Sequence, residues 1–119
     1  MGVPNLLSPN SITGYSQGGT VSTSLSAILG PISSNTQCKV NSLVISNVDG
    51  SNAADVSVTF YDGGSHRYLA YTVSVPADTS LVVISKDTYM YVNETQGIYA
   101  QASAAGDLAY VISYEYLTS

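Results

Sequence analysis

Charge is what this chain has least of. Only 9% of its 119 residues are charged, against roughly 25% in ordinary soluble domains. The three basic residues, Lys39, Arg67 and Lys86, are scattered, whereas phosphate binding needs clustered Lys and Arg. Nucleic acid is therefore not an expected partner, and neither is an anionic membrane surface. Cys38 is the one cysteine, so an internal disulfide is excluded and a buried thiol is expected. His66 is the one histidine, which leaves no triad to assemble and no carboxylate pair at a meaningful spacing. No enzyme, cofactor or metal site is expected. No apolar run approaches the roughly 18 residues of a membrane span. Met1-Gly2-Val3-Pro4-Asn5 has no basic stretch and Leu6-Leu7 is too short for a leader's apolar region, so synthesis in a cytoplasm is expected.

What is present is short alternation. The hydrophobic fraction is 45%, enough for one domain of this length to bury a core. With so few charges, the surface falls to Ser, Thr, Asn, Gln, Gly and Tyr. Such neutral surfaces suit contact between subunits, because few charges need desolvation; a neutral extracellular β domain would look the same.

Composition shifts near residue 38. Residues 1–38 are rich in Ser, Thr, Gly, Asn and Pro and are expected to form an extended N-terminal arm with one or two edge strands. Residues 20–25 alternate like a strand, and residues 26–29 could start a helical turn that Gly30-Pro31 ends. The arm either folds back to complete its own sheet or pairs with a neighbour's edge. Residues 39–119 are expected to form the body. Strands are predicted at 39–48, 55–61, 67–75, 80–85, 89–92, 98–102 and 108–117. In the first, Val40, Val44 and Val48 should share one face, and Leu43 and Ile45 the other. In the third, Leu69, Tyr71, Val73 and Val75 should share a face. The last two should pair across residues 103–107. Asp49-Gly50, Asp62-Gly63-Gly64 and Pro76-Ala77-Asp78 are turn chemistry. Together these predict an all-β single β-sandwich, jelly-roll or Ig-like Greek key, of 7–8 antiparallel strands with that extended arm.

Ten tyrosines stand beside one Phe and no Trp. Tyrosine combines a large ring, a hydroxyl and little entropy to lose on contact. Tyr89 and Tyr91 share a face of one short strand, and Tyr61 and Tyr68 lie on the polar side of a predicted hairpin. These four are the candidate subunit-contact residues; sugar stacking and cross-strand packing are the alternatives. His66-Arg67 after a glycine loop suits an anion or a solvated hairpin tip. Asp49, Asp55 and Asp62 match no calcium-loop spacing. Asn93-Glu94-Thr95 is a glycosylation sequon by pattern.

The run Val40-Asn41-Ser42-Leu43-Val44-Ile45-Ser46-Asn47-Val48-Asp49-Gly50, with Ala53-Ala54-Asp55-Val56, resembles a family of small β-rich virion structural proteins of tailed phages, seen especially among phages of aquatic bacteria and cyanobacteria. The likeness continues in Val73-Ser74-Val75-Pro76-Ala77-Asp78-Thr79-Ser80-Leu81-Val82-Val83, in Ser85-Lys86-Asp87-Thr88, in Ala102-Ser103-Ala104-Ala105-Gly106-Asp107-Leu108 and in Ser113-Tyr114-Glu115. The resemblance spans residues 39–117. It implies a non-enzymatic virion component, with no catalytic residues to carry over. The expected role is a capsid decoration or cement protein that binds the major capsid protein lattice and stabilises the head. It would be homo-oligomeric, with trimers matching three-fold lattice positions. A neck, tail or baseplate component is the alternative, and a carbohydrate-binding module a further one.

Overall fold

The computed structural model describes residues 11–118. They form nine strand segments: β1 Ser11–Thr20, β2 Ser26–Leu29, β3 Thr36–Asn47, β4 Ala54–Tyr61, β5 His66–Val75, β6 Ser80–Ile84, β7 Met90–Val92, β8 Gly97–Ala102 and β9 Leu108–Thr118. The first sheet runs β1-β9-β3-β6, with β7 also on β3; the second runs β2-β8-β4-β5. All named pairings are antiparallel. β6 and β7 lie end to end on one edge of β3, separated by a single 3-10 turn over Lys86–Thr88. Counted as one interrupted strand, they give first-eighth-third-sixth and second-seventh-fourth-fifth orders. That is a jelly roll.

The two sheets bury one core between them. Val40, Leu43, Ile45, Leu108 and Ile112 of the first sheet meet Val56, Val58, Val75 and Ile98 of the second, all essentially without exposed surface. Each such side chain contributes about 1.5–3 kcal/mol through burial. Asn47 ties the sheets at one end. Its Nδ2 donates to the carbonyls of Val75 (2.8 Å) and Asn52 (2.9 Å), and its Oδ1 accepts from the Asp49 N–H (2.8 Å).

Several expectations need correction. Residues 21–25 are not strand; they connect β1 to β2, and residues 26–29 form β2 rather than a helical turn. Pairing of Ala27 with Tyr99 and Leu29 with Ile98 outcompetes a helix that Gly30-Pro31 leaves no room to grow. In β3 the ladder slips between Val40 and Ser42. This bulge turns Val40 inward beside Leu43 and Ile45, and leaves Val48 outside. In β5 two slips against β4 do the same, so Leu69 and Tyr71 face solvent while Ala70 packs on the core. β8 and β9 do not pair; they lie in opposite sheets. The loop between them is tied to the second sheet by Ser103 N–H donating to Asp55 O (2.9 Å), and to the first by Val48 N–H donating to Asp107 O (2.8 Å).

Candidate contact surface

The outer face of the first sheet is built from cross-strand rows. Gly18, Val111, Val44 and Val82 are register partners across β1, β9, β3 and β6. Val82 and Val111 are 59% and 54% exposed. On one side of this apolar row lie Ser16, Ser113 and Ser42; on the other lie Thr20, Ala109, Ser46 and Ser80. The hydroxyls pair with one another: Ser16 with Ser113 at 2.7 Å and Ser46 with Ser80 at 3.1 Å. No charged side chain falls in these three rows. These two pairs meet part of the hydroxyls' demand within the sheet, and with no charge in the rows, covering this face costs less desolvation than covering a charged one. The row was missed from sequence because Val82 sits in an unbroken apolar run, where alternation gives no face.

The four tyrosines singled out from sequence separate into two groups on different sheets. Tyr89 and Tyr91 stand edge to face, ring centroids 5.9 Å apart. Tyr91 is the register partner of Lys39, whose Nζ lies 4.6 Å from the Tyr89 ring centroid, a cation–π arrangement. Tyr61 and Tyr68 belong to the second sheet. Tyr61 packs on His66 (4.8 Å) and lies 5.7 Å from Tyr99. Tyr68 stands edge to face with Tyr71 at 4.7 Å. Sequence reasoning missed Tyr71 and Tyr99, because cross-strand neighbours are fixed by register.

His66 is exposed but has partners on its own sheet. Its ring meets Tyr99 edge-on at 4.9 Å, and its Nδ1 shares a 2.8 Å hydrogen bond with the Thr59 hydroxyl. Arg67 reaches back to Asp62 at 3.4 Å. Asp62 in turn accepts the N–H groups of Ser65 (2.8 Å) and Gly64 (3.0 Å), which hold its carboxyl below the usual range. Asp49 is lowered chiefly by the Ser51 N–H. Both acids thus serve their turns. Among the described residues no group of three or more His, Cys, Asp or Glu could hold a metal ion, and no helix is long and apolar enough to cross a membrane. Asn93 of the sequon accepts from Gln37 Nε2 at 2.6 Å. Cys38 is fully buried, and burial pushes its thiol up to about 11.

Hollows also open among the described residues. One, about 300 Å³, opens between β1 and β2 and is lined by Gln17, Ile28, Leu29, Pro31, Tyr114 and Tyr116. Another, about 220 Å³, lies on the second sheet among Asp55, Ser57, Thr72, Gln101 and Ser103.

No protein-family model matches the chain, and no curated protein matches it in sequence. Solved structures share its fold. A protein from the Bacillus endospore appendages, which form disulfide-linked pili, aligns over 91% of this chain and 87% of its own, at 15% identity and a TM-score of 0.52. A protein of the acid-stable capsid of Helicobacter pylori bacteriophage KHP30 aligns over 92% of this chain and 90% of its own, at 11% identity and a TM-score of 0.51.

Proposed function

We propose that this chain is a non-enzymatic structural subunit of a phage virion, acting as a capsid decoration or cement protein that binds the major capsid protein lattice and stabilises the head. The observation that carries the reading is the outer face of the first sheet, where an exposed valine row lies between two hydroxyl-bearing rows with no charge among the three. A face of that kind adheres by shape and burial. The jelly roll held in common with a phage capsid protein supports the same reading. The sequence resemblance adds tailed phages of aquatic bacteria and cyanobacteria as the source. Trimers at three-fold lattice positions are the arrangement proposed, and the protein passes from the host cytoplasm into the particle. The endospore appendage is a disulfide-linked pilus; the core position of Cys38 does not offer such a link.

Quantitative mass spectrometry of purified particles tests this. A copy number on the scale of the capsid lattice supports decoration. A number matching one ring points to a neck, tail or baseplate component, and absence from particles overturns the virion reading. One observation favours a carbohydrate-binding role instead. Tyr68 and Tyr71, 54% and 65% exposed, share the second sheet with the polar hollow of Asp55, Ser57 and Gln101. Binding on a glycan array that Tyr71→Ala removes would establish that role, and a silent array would dismiss it.

A further inference from the structure

Every open sheet has edges, and unpaired N–H and C=O groups along an edge invite another strand. Three of the four edges here are blunted. β2 is four residues long and slips in register. β5 slips twice and carries Arg67 and an exposed pair of tyrosines. The edge formed by β6 and β7 is broken by the turn at Lys86–Thr88, with charges at Lys86 and Asp87. Such bulges, charges and short strands are how proteins discourage edge pairing.

β1 has none of these devices. It pairs with β9 without a slip over ten rungs, from Ser11 opposite Thr118 to Thr20 opposite Ala109. It contains no proline and none of the chain's charged residues. All ten of its residues are exposed, and its other edge has no strand partner among the described residues. Ile12 and Tyr15 are 58% and 50% exposed, Tyr15 resting on Tyr114 and Tyr116 of β9 with the rest of its ring open.

We propose that β1 pairs edge to edge with β1 of a second copy, antiparallel about a two-fold axis, joining the two first sheets into one. The occupant is a second copy for an electrostatic reason. Across a two-fold axis each residue type recurs on both strands, so a charged edge would bring like charges together. β1 is uncharged and meets no such penalty. The blunted edges disfavour head-to-tail pairing with β2, β5 or β6, so the contact closes on itself and does not grow into a fibre. Ile12 and Tyr15 gain cross-strand neighbours on pairing. A two-fold contact of this kind adds to three-fold clusters and does not depend on them.

Sedimentation of the full chain over a concentration series, with hydrogen exchange on the same samples, tests the pairing. The expected result is a monomer–dimer equilibrium in which the β1 amides directed away from β9 become protected in the dimer and lose protection on dilution. Gly14→Lys places a charge at the edge, where an added Cβ meets nothing within 4 Å. It stands opposite Glu115 of its own chain, so the monomer should keep its circular dichroism and unfold no earlier, while the dimer is abolished. Tyr71→Lys, on the β5 edge, should leave the dimer intact. A wild-type chain monomeric at every concentration overturns the proposal. So does an oligomer whose outward β1 amides exchange freely, or a dimer that survives Gly14→Lys. If Gly14→Lys misfolds, wild-type exchange decides alone. The virion reading fails separately: a monomer found in particles sinks the edge pairing alone, and a dimer absent from particles sinks the virion reading alone.

Discussion

The two sheets differ in build as well as in position. The first is long, with ten unslipped rungs between β1 and β9 and register shifts at Val40/Ser42 and Leu43/Val44; on its outer face one valine row lies between two hydroxyl-bearing rows, with Glu115 and Lys39 register partners beyond them. The second is shorter, its β5 slips twice, and aromatic rings stand off its outer face around His66. The interior repeats the contrast. The first sheet brings Leu43, Ile45, Leu108 and Ile112 inward, while the second relies more on Val56, Val58 and Val75. A long sheet with large inward side chains makes a plate. A bulged sheet with smaller ones makes relief.

That contrast can be broken from inside. Leu43→Ala, at the centre of the plate, should cost about 2–5 kcal/mol in denaturant unfolding, and Val58→Ala in the facing sheet should cost less. Equal losses would mean the sheets share the core evenly. Next in size is the tie between them. Asn47→Ala removes three hydrogen bonds and leaves buried backbone groups unpaired, so a loss of about 2–3 kcal/mol is expected; a neutral result would show that the sheet ends hold without it.

The plate's interior also carries a pH dependence. Burial raises the Cys38 thiol from an ordinary 9.0 to about 11 in the folded chain. The unfolded chain therefore ionises first. The thiol's contribution is intact below about pH 9 and lost as pH rises towards 11, on the order of 2 kcal/mol in all. Tyr114 shifts in the same direction by the same cause. The difference in stability between the native chain and Cys38→Ala should narrow across that range, and a constant difference would show the thiol is hydrated. The smallest effect concerns the outer face. Val82→Ser and Val111→Ser should change stability by less than about 0.5 kcal/mol while weakening incorporation into particles, measured by mass spectrometry. Unchanged incorporation would remove the valine row from the contact.

How legible all this was depends on which physical signal each part leaves. β4 and β9 showed themselves through alternation, because each keeps one face towards the core. The turn at Asp62–Ser65 was equally plain, since its carboxylate accepts the N–H groups of its own loop. The bulge near Asn41 and the two in β5 left no mark in composition, and each inverted the faces beyond it. The separation of β8 from β9 was hidden because a five-residue loop serves a hairpin and a crossing between sheets alike. β1 was overlooked because a strand exposed on both faces has no apolar rhythm to detect. Of the candidate surface, tyrosine abundance was visible and the company each ring keeps was not.

The rung that joins Ser11 to Thr118, their hydroxyls 2.8 Å apart, has a practical corollary. That rung lies at the end of the sandwich that also carries the 62–65 hairpin and the 93–96 loop. The far rim carries loops 48–53, 76–79 and 103–107. A short bridge between those two residues, with new termini opened at the far rim, would yield a permuted chain with the same architecture.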